Sequence, residues 1–274
     1  MHGGIVVDEH ITPRMFVDYM ARTGRLPPES LNVAPVVITS WSHRTLVRLR
    51  EQLGASPGQP WLYGESHPVY RAEVEGRPVA LTGAMVGAPA AVMVAEELIA
   101  CGARIIVGVG YAGSLQPAVP VGSFFIPTAC LSEEGTSAHY APSGEGTGWA
   151  GENVPGPSPR LARLLQAACE AEGIQPVTGT VWTTDAPYRE LRSKVERYRA
   201  RGVVGVDMET SALYTLGRFR GVEVCHLLLI SDELWHEWRP AFGSPELRAA
   251  EERAAAVLLR LLKERALGAA GAGA

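Results

Sequence analysis

The sequence predicts an α/β protein. Short β-rich runs alternate with amphipathic helical runs along all 274 residues, 46% of the residues are apolar, and no linker or internal repeat interrupts the alternation. A net charge of −4 provides no basic footprint, which argues against nucleic acid or an anionic membrane as a partner. Cys101, Cys130, Cys169 and Cys225 form no C-x-x-C pair and read as free thiols in a reducing compartment. MHGGIVVDEH lacks the basic start of a signal peptide, and no apolar run approaches the roughly 18 residues of a membrane span. The expectation is a cytoplasmic protein with small-molecule partners and no metal site.

Residues 1–30 read as an N-terminal arm. VVITS (36–40) reads as a strand and 43–53 as a helix, and Glu75-Gly76 is the turn of a hairpin between VYRAEV and RPVALTG. PAAVMVAEELIACG (89–102) is a helix with Pro89 in its first turn and Gly102 at its C-cap, followed by the strand RIIVGV (104–109). SFFIPT is a further strand. Residues 132–157 are rich in Gly, Ser and Pro and form a candidate lid. Ser158-Pro159 opens a helix to about Ala171, residues 176–184 form a strand, and a charged helix spans 189–200. VVGV then leads to a helix carrying Glu209, VEVCHLLLIS (222–231) is a strand, and Ser244-Pro245 caps the last helix before a frayed tail at 266–274. The whole chain is expected to form one domain.

Two features carry chemistry. Glu209 is expected to share a helical stripe with Ala212, Leu213 and Leu216, where an unpartnered carboxylate is costly. GVGYAG (108–113) fits G-x-G-x-x-G after a strand, yet Pro117 and Pro120 forbid the helix a dinucleotide site needs. Its glycines read instead as room for a small ligand at the strand's carboxyl end.

Three segments in order, 86–117, TTDAPY (183–188) and VDMETSALYTLGRFRG with ISDELW (206–235), resemble the nucleoside phosphorylase superfamily of purine nucleoside phosphorylases, uridine phosphorylases and methylthioadenosine nucleosidases. GTSAHY (135–140) adds a weaker match to the uridine phosphorylase side. The resemblance implies a three-layer αβα sandwich around a mixed, partly barrel-like sheet, no cofactor, and assembly as a dimer or a hexameric trimer of dimers. It implies that Glu209 holds the ribose, that Met208 lines it, and that Asp232, beside Ser231, protonates the leaving base. A carboxyl at the end of the buried run HLLLI is expected to have a raised pKa. Tyr188 is implied as an aromatic wall for the base, with Gly110 and Tyr111 lining the substrate. Pro187 and Arg189 depart from the uracil-reading pattern, which argues against uracil specificity, and Ser231-Asp232 matches the purine-cleaving branch, so a purine-type ribonucleoside is expected.

Phosphate, as co-substrate, requires an anion site, and the resemblance assigns Ser40 and Arg44 to it. Gly108 stands where the family has a second arginine, and Tyr111 where it has a small hydroxyl residue. The expected activity is phosphorolysis to free base and ribose 1-phosphate. Hydrolysis, with His43 as water-activating base, is the alternative, and a non-catalytic nucleoside-binding member is a third reading. Arg71 is a candidate to restore the anion site, and His2 or His10 to complete a neighbouring subunit's site.

Overall fold

Val36, Val37 and Ile38 open the strand Val36–Ser40 (β1), since branched side chains suit a pleated surface better than a helical turn. The protein is seen here as a computed structural model that describes residues 9–25, 31–56, 59–61, 64–140 and 156–269. β2 (Gln59–Trp61), β3 (Gly64–Val74) and β4 (Arg77–Gly83) follow β1, with β3 and β4 joined at Glu75 and Gly76. Both turn residues have positive φ, 51° and 76°, as a tight hairpin turn demands.

The remaining strands are β5 (Ile105–Ser114), β6 (Phe124–Ser132), β7 (Val177–Thr183), β8 (Gly205–Asp207), β9 (Glu223–Glu233) and β10 (Arg239–Pro240). They form one mixed sheet in the order β10-β9-β6-β7-β8-β5-β1-β4-β3-β2. An additional β9–β5 pairing closes β5, β9, β6, β7 and β8 into a barrel-like ring. In that ring Gly113 pairs with Val206 of β8 on one side and with Asp232 of β9 on the other.

Helices cover both faces. α2 (His43–Leu53), α5 (Pro159–Ala171) and α8 (Pro245–Lys263) pack on one side around Leu49, Leu165 and Leu258. α1 (Pro13–Arg22), α3 (Ala88–Ala100) and α7 (Thr210–Arg220) pack on the other around Val17, Leu98 and Leu216, with the one-turn α4 (Ser137–Tyr140) beside α7. α6 (Arg192–Ala200) closes a smaller cluster around Trp182 and Tyr198. The three-layer expectation is therefore met.

Several elements differ from the sequence reading. The N-terminal arm contains α1, whose Thr12 hydroxyl accepts from Met15 N and which buries Val17 and Met20. β5 runs through the whole glycine-rich segment rather than stopping at 109, because β9 pairs with it to its end. α6 starts at Arg192, preceded by a 3₁₀ turn at Pro187–Arg189. The tail has a 3₁₀ turn at Arg265–Ala269, and residues 270–274 lie outside the described set, as do residues 141–155 of the candidate lid. No described helix is long and apolar enough to cross a membrane, and the described residues hold no metal-binding cluster.

Candidate functional site

Glu209 does not sit on the stripe of α7. It is the N-cap residue, with φ −137° and ψ −31°, and its carbonyl accepts from Leu213 N at 3.1 Å. It is buried all the same, at 8% exposure, and Oε1 accepts from Gly87 N at 2.6 Å. The start of α7 is held by Asp207, which accepts from Thr210 N (3.0 Å), the Thr210 hydroxyl and the Thr183 hydroxyl (2.7 Å). Asp207 thus takes three donors within a fully buried pocket. Glu209 has fewer, and burial first, then the Asp207 charge, push its carboxyl well above the usual range. Met208, between them, is half-buried.

Asp232 lies inside β9 rather than beyond it, at 9% exposure. Oδ1 accepts from the Ser231 hydroxyl at 2.7 Å and Oδ2 from Trp238 Nε1 at 2.8 Å. Glu190, which follows the 3₁₀ turn, is the other carboxyl here. Burial and then the Asp232 charge push it up to about 7. Gly113 is the close-approach point: a Cβ there would lie 2.3 Å from Leu234 and 3.2 Å from Asp232 Oδ2. Strand β5 accordingly separates β8, which ends on the buried Asp207 two residues before Glu209, from β9, which carries the buried Asp232.

The other glycines of the motif do not leave free space. A Cβ at Gly108 would lie 2.5 Å from the His226 ring, and one at Gly110 would lie 3.2 Å from Trp41. His226 is fully buried. The Thr210 hydroxyl donates to Asp207, so His226 Nδ1 is the donor to Thr210 Oγ1 at 2.8 Å. Nε2 then has no partner among the described residues, and burial pushes the imidazole down to about 3. Trp41 packs on this ring with centroids 5.6 Å apart and donates Nε1–H to the Met85 carbonyl at 2.9 Å.

The residues expected at the anion site meet a carboxylate of the chain itself. Arg44 Nε lies 3.0 Å from Glu251 Oε2, the Ser42 hydroxyl donates to Glu251 Oε1 at 3.1 Å, and the Tyr111 phenol donates to the same oxygen. Ser40 is turned inward, its hydroxyl donating to the Ser42 carbonyl at 2.8 Å. His43 is exposed at the start of α2 and is not held as a water-activating base. Tyr188 is fully exposed, at 100%, so within this chain it forms no wall for a base. Arg71 lies in β3, His10 is exposed ahead of α1, and His2 lies outside the described residues.

Sequence reasoning missed Trp238, Glu190, Trp41, His226 and Glu251. Only Asp207 had a local signal, an acid three residues before Thr210, as helix caps are spaced. A separate cleft of about 890 Å³ lies between α1, α3 and α4, lined by Phe16, Met93, His139, Tyr140, Phe219 and Arg220 among others. It contains neither Glu209 nor Asp232.

Comparison with known proteins identifies the family. Residues 35–263 match the phosphorylase superfamily. Uridine phosphorylase of Escherichia coli K12 is 27% identical over 168 residues, covering 56% of this chain and 63% of the relative. A DeoD-type purine nucleoside phosphorylase of Caldanaerobacter subterraneus is 30% identical over 161 residues, 58% of this chain and 66% of the relative. The chain thus spans somewhat under two thirds of the length of these curated relatives. The crystal structure of purine nucleoside phosphorylase from Toxoplasma gondii in complex with immucillin-H aligns with TM-score 0.72 and 24% identity, covering 85% of this chain and 91% of that one.

Proposed function

The chain belongs to the phosphorylase superfamily, and from that premise we propose that it cleaves the N-glycosidic bond of a ribonucleoside, purine-type by preference. The observation that supports the reading is that Gly113 of β5 pairs on one side with Val206, three residues before the buried Glu209, and on the other with the buried Asp232. Glu209, raised by burial, grips the ribose hydroxyls as acceptor or, when protonated, as donor. Met208 packs against the sugar.

As the C1′–N bond breaks, its electron pair moves to the base and the sugar becomes oxocarbenium-like. Asp232 delivers a proton to the base nitrogen, a general-acid contribution of about 10²–10⁴ in rate. Ser231 and Trp238 hold both of its oxygens, which fixes the direction of delivery. Glu190, with a carboxyl pKa pushed to about 7, keeps a proton beside Asp232 near neutral pH.

Phosphorolysis is the reaction the resemblance favours: a phosphate oxygen bonds to C1′ and ribose 1-phosphate leaves with the free base, with no cofactor. Hydrolysis is the second reading, favoured by Arg44 being engaged by Glu251 and by His226 filling the space over Gly108. A panel of purine and pyrimidine nucleosides, incubated with and without phosphate and followed for free base, tests all three readings. Release only with phosphate selects phosphorolysis, release regardless selects hydrolysis, and binding without release selects a non-catalytic member.

The catalytic unit in this reading is one domain over residues 1–274, working in the cytoplasm as a homo-oligomer. The apolar side chains Ile11, Met15, Phe16, Val86 and Met93, exposed on and around α1 and α3, support association between copies. Sedimentation as a monomer at micromolar concentration would exclude it.

A further inference from the structure

Three hydrogen-bond donors from two elements converge on a single carboxylate. Ser42 is the N-cap of α2, Arg44 lies in its first turn, and Tyr111 comes from β5, yet all three point at Glu251 of α8. A guanidinium, a hydroxyl and a phenol at the positive end of an eleven-residue helix make the donor set of an oxyanion receptor. It sits where the parallel strands β1 and β5 approach their carboxyl ends, the side of an α/β sheet on which ligands bind. A tie between α2 and α8 would not need a donor from the sheet as well. α2 and α8 are also joined by the Thr45 hydroxyl, which lies 3.1 Å from the Glu251 carbonyl.

We propose that Glu251 is a built-in competitor for inorganic phosphate, occupying the donors Ser42, Arg44 and Tyr111 at the anion site that the family resemblance already assigns around Arg44. Phosphate enters only by displacing the Glu251 side chain, so Glu251 sets how much phosphate the reaction requires. The inference rests on the proposed glycosidic cleavage for its biological meaning, but its test does not.

The geometry favours displacement over permanent closure. Glu251 is buried at 7%, while the Arg44 side chain remains 46% exposed and can turn toward an incoming anion. Phosphate offers several oxygens to the three donors, against two from the carboxylate, and carries more charge for the guanidinium. The competitor has the advantage of being intramolecular, with no translational freedom to lose.

The test is phosphate binding alone, measured by isothermal titration without nucleoside on the parent, Glu251→Gln and Glu251→Ala. Glu251→Gln keeps the shape and removes the charge, and Glu251→Ala opens the site. The expected result is binding at least tenfold tighter in Glu251→Ala than in the parent, with Glu251→Gln between them. Adding Arg44→Ala to Glu251→Ala should abolish the gain. Equal affinity in the parent and Glu251→Ala overturns the proposal, as does a gain that survives loss of Arg44. If neither Glu251 variant melts cooperatively, the carboxylate is a structural tie and the proposal falls. A gain in binding with no base release from any nucleoside leaves the receptor standing and removes the catalytic reading instead.

Discussion

The acid pair and the anion cluster treat charge in opposite ways. In the acid pair, Glu209 and Asp232 are buried with few donors each, and neither forms an ion pair with a cation among the described residues. In the anion cluster, Arg44 is present but its Nε already serves Glu251, which draws in Ser42 and Tyr111 too. Thus a motif residue can be present in the sequence and still be committed elsewhere. Burial without a counter-ion leaves a carboxyl ready for proton chemistry, while a satisfied ion pair must be broken before it can act.

The sharpest way to break this contrast is Asp232→Asn. It should lower kcat by about 10²–10⁴ with little change in nucleoside dissociation constant, read by steady-state kinetics beside equilibrium binding. Equal losses in both would remove Asp232 from proton delivery. Glu209→Gln should reduce the preference for a riboside over its 2′-deoxyriboside by about tenfold in kcat/KM, the equivalent of about 1.4 kcal/mol. An unchanged ratio would place the sugar elsewhere.

Gly108→Ala should cost about 1–3 kcal/mol, since the new methyl would sit 2.5 Å from a ring that Thr210 and Trp41 hold in place. Urea melts measure it, and a neutral result would mean that His226 is free to move. The smallest effect concerns Glu190. Its pKa in the folded chain, about 7, exceeds its ordinary value of 4.5, so its contribution to stability is complete below pH 4.5 and is lost as pH rises through about 7. Glu190→Gln should therefore match the parent near pH 4.5 and melt about 2–4 °C higher at pH 8. A difference independent of pH would show that the Glu190 carboxyl does not titrate in this window.

Much of the architecture could be read from local pattern. β1 and α2 fall on the expected residues, the Glu75-Gly76 turn joins β3 to β4, and Ser244 caps α8 by accepting from Leu247 N. Those features depend on neighbours in the chain, where propensity, capping and turn chemistry act. Glu209 was legible as a buried acid, though for the wrong reason: it is buried by Gly87 and the start of α7, 122 residues from its hydrogen-bond partner in sequence, rather than by a helical stripe.

The alternation of strands and helices, the order of the motif segments and the candidate acids were all inherent in the order of residues, because each rests on spacing over a few turns or pleats. Which groups are available was settled only when distant segments met. Arg44 encounters Glu251 from 207 positions away, His226 fills the space that Gly108 leaves, and Trp238 folds back onto Asp232 from an otherwise exposed position. Hydrogen bonds and steric exclusion act over a few ångströms in space, and a linear pattern does not specify which distant side chains arrive within that range.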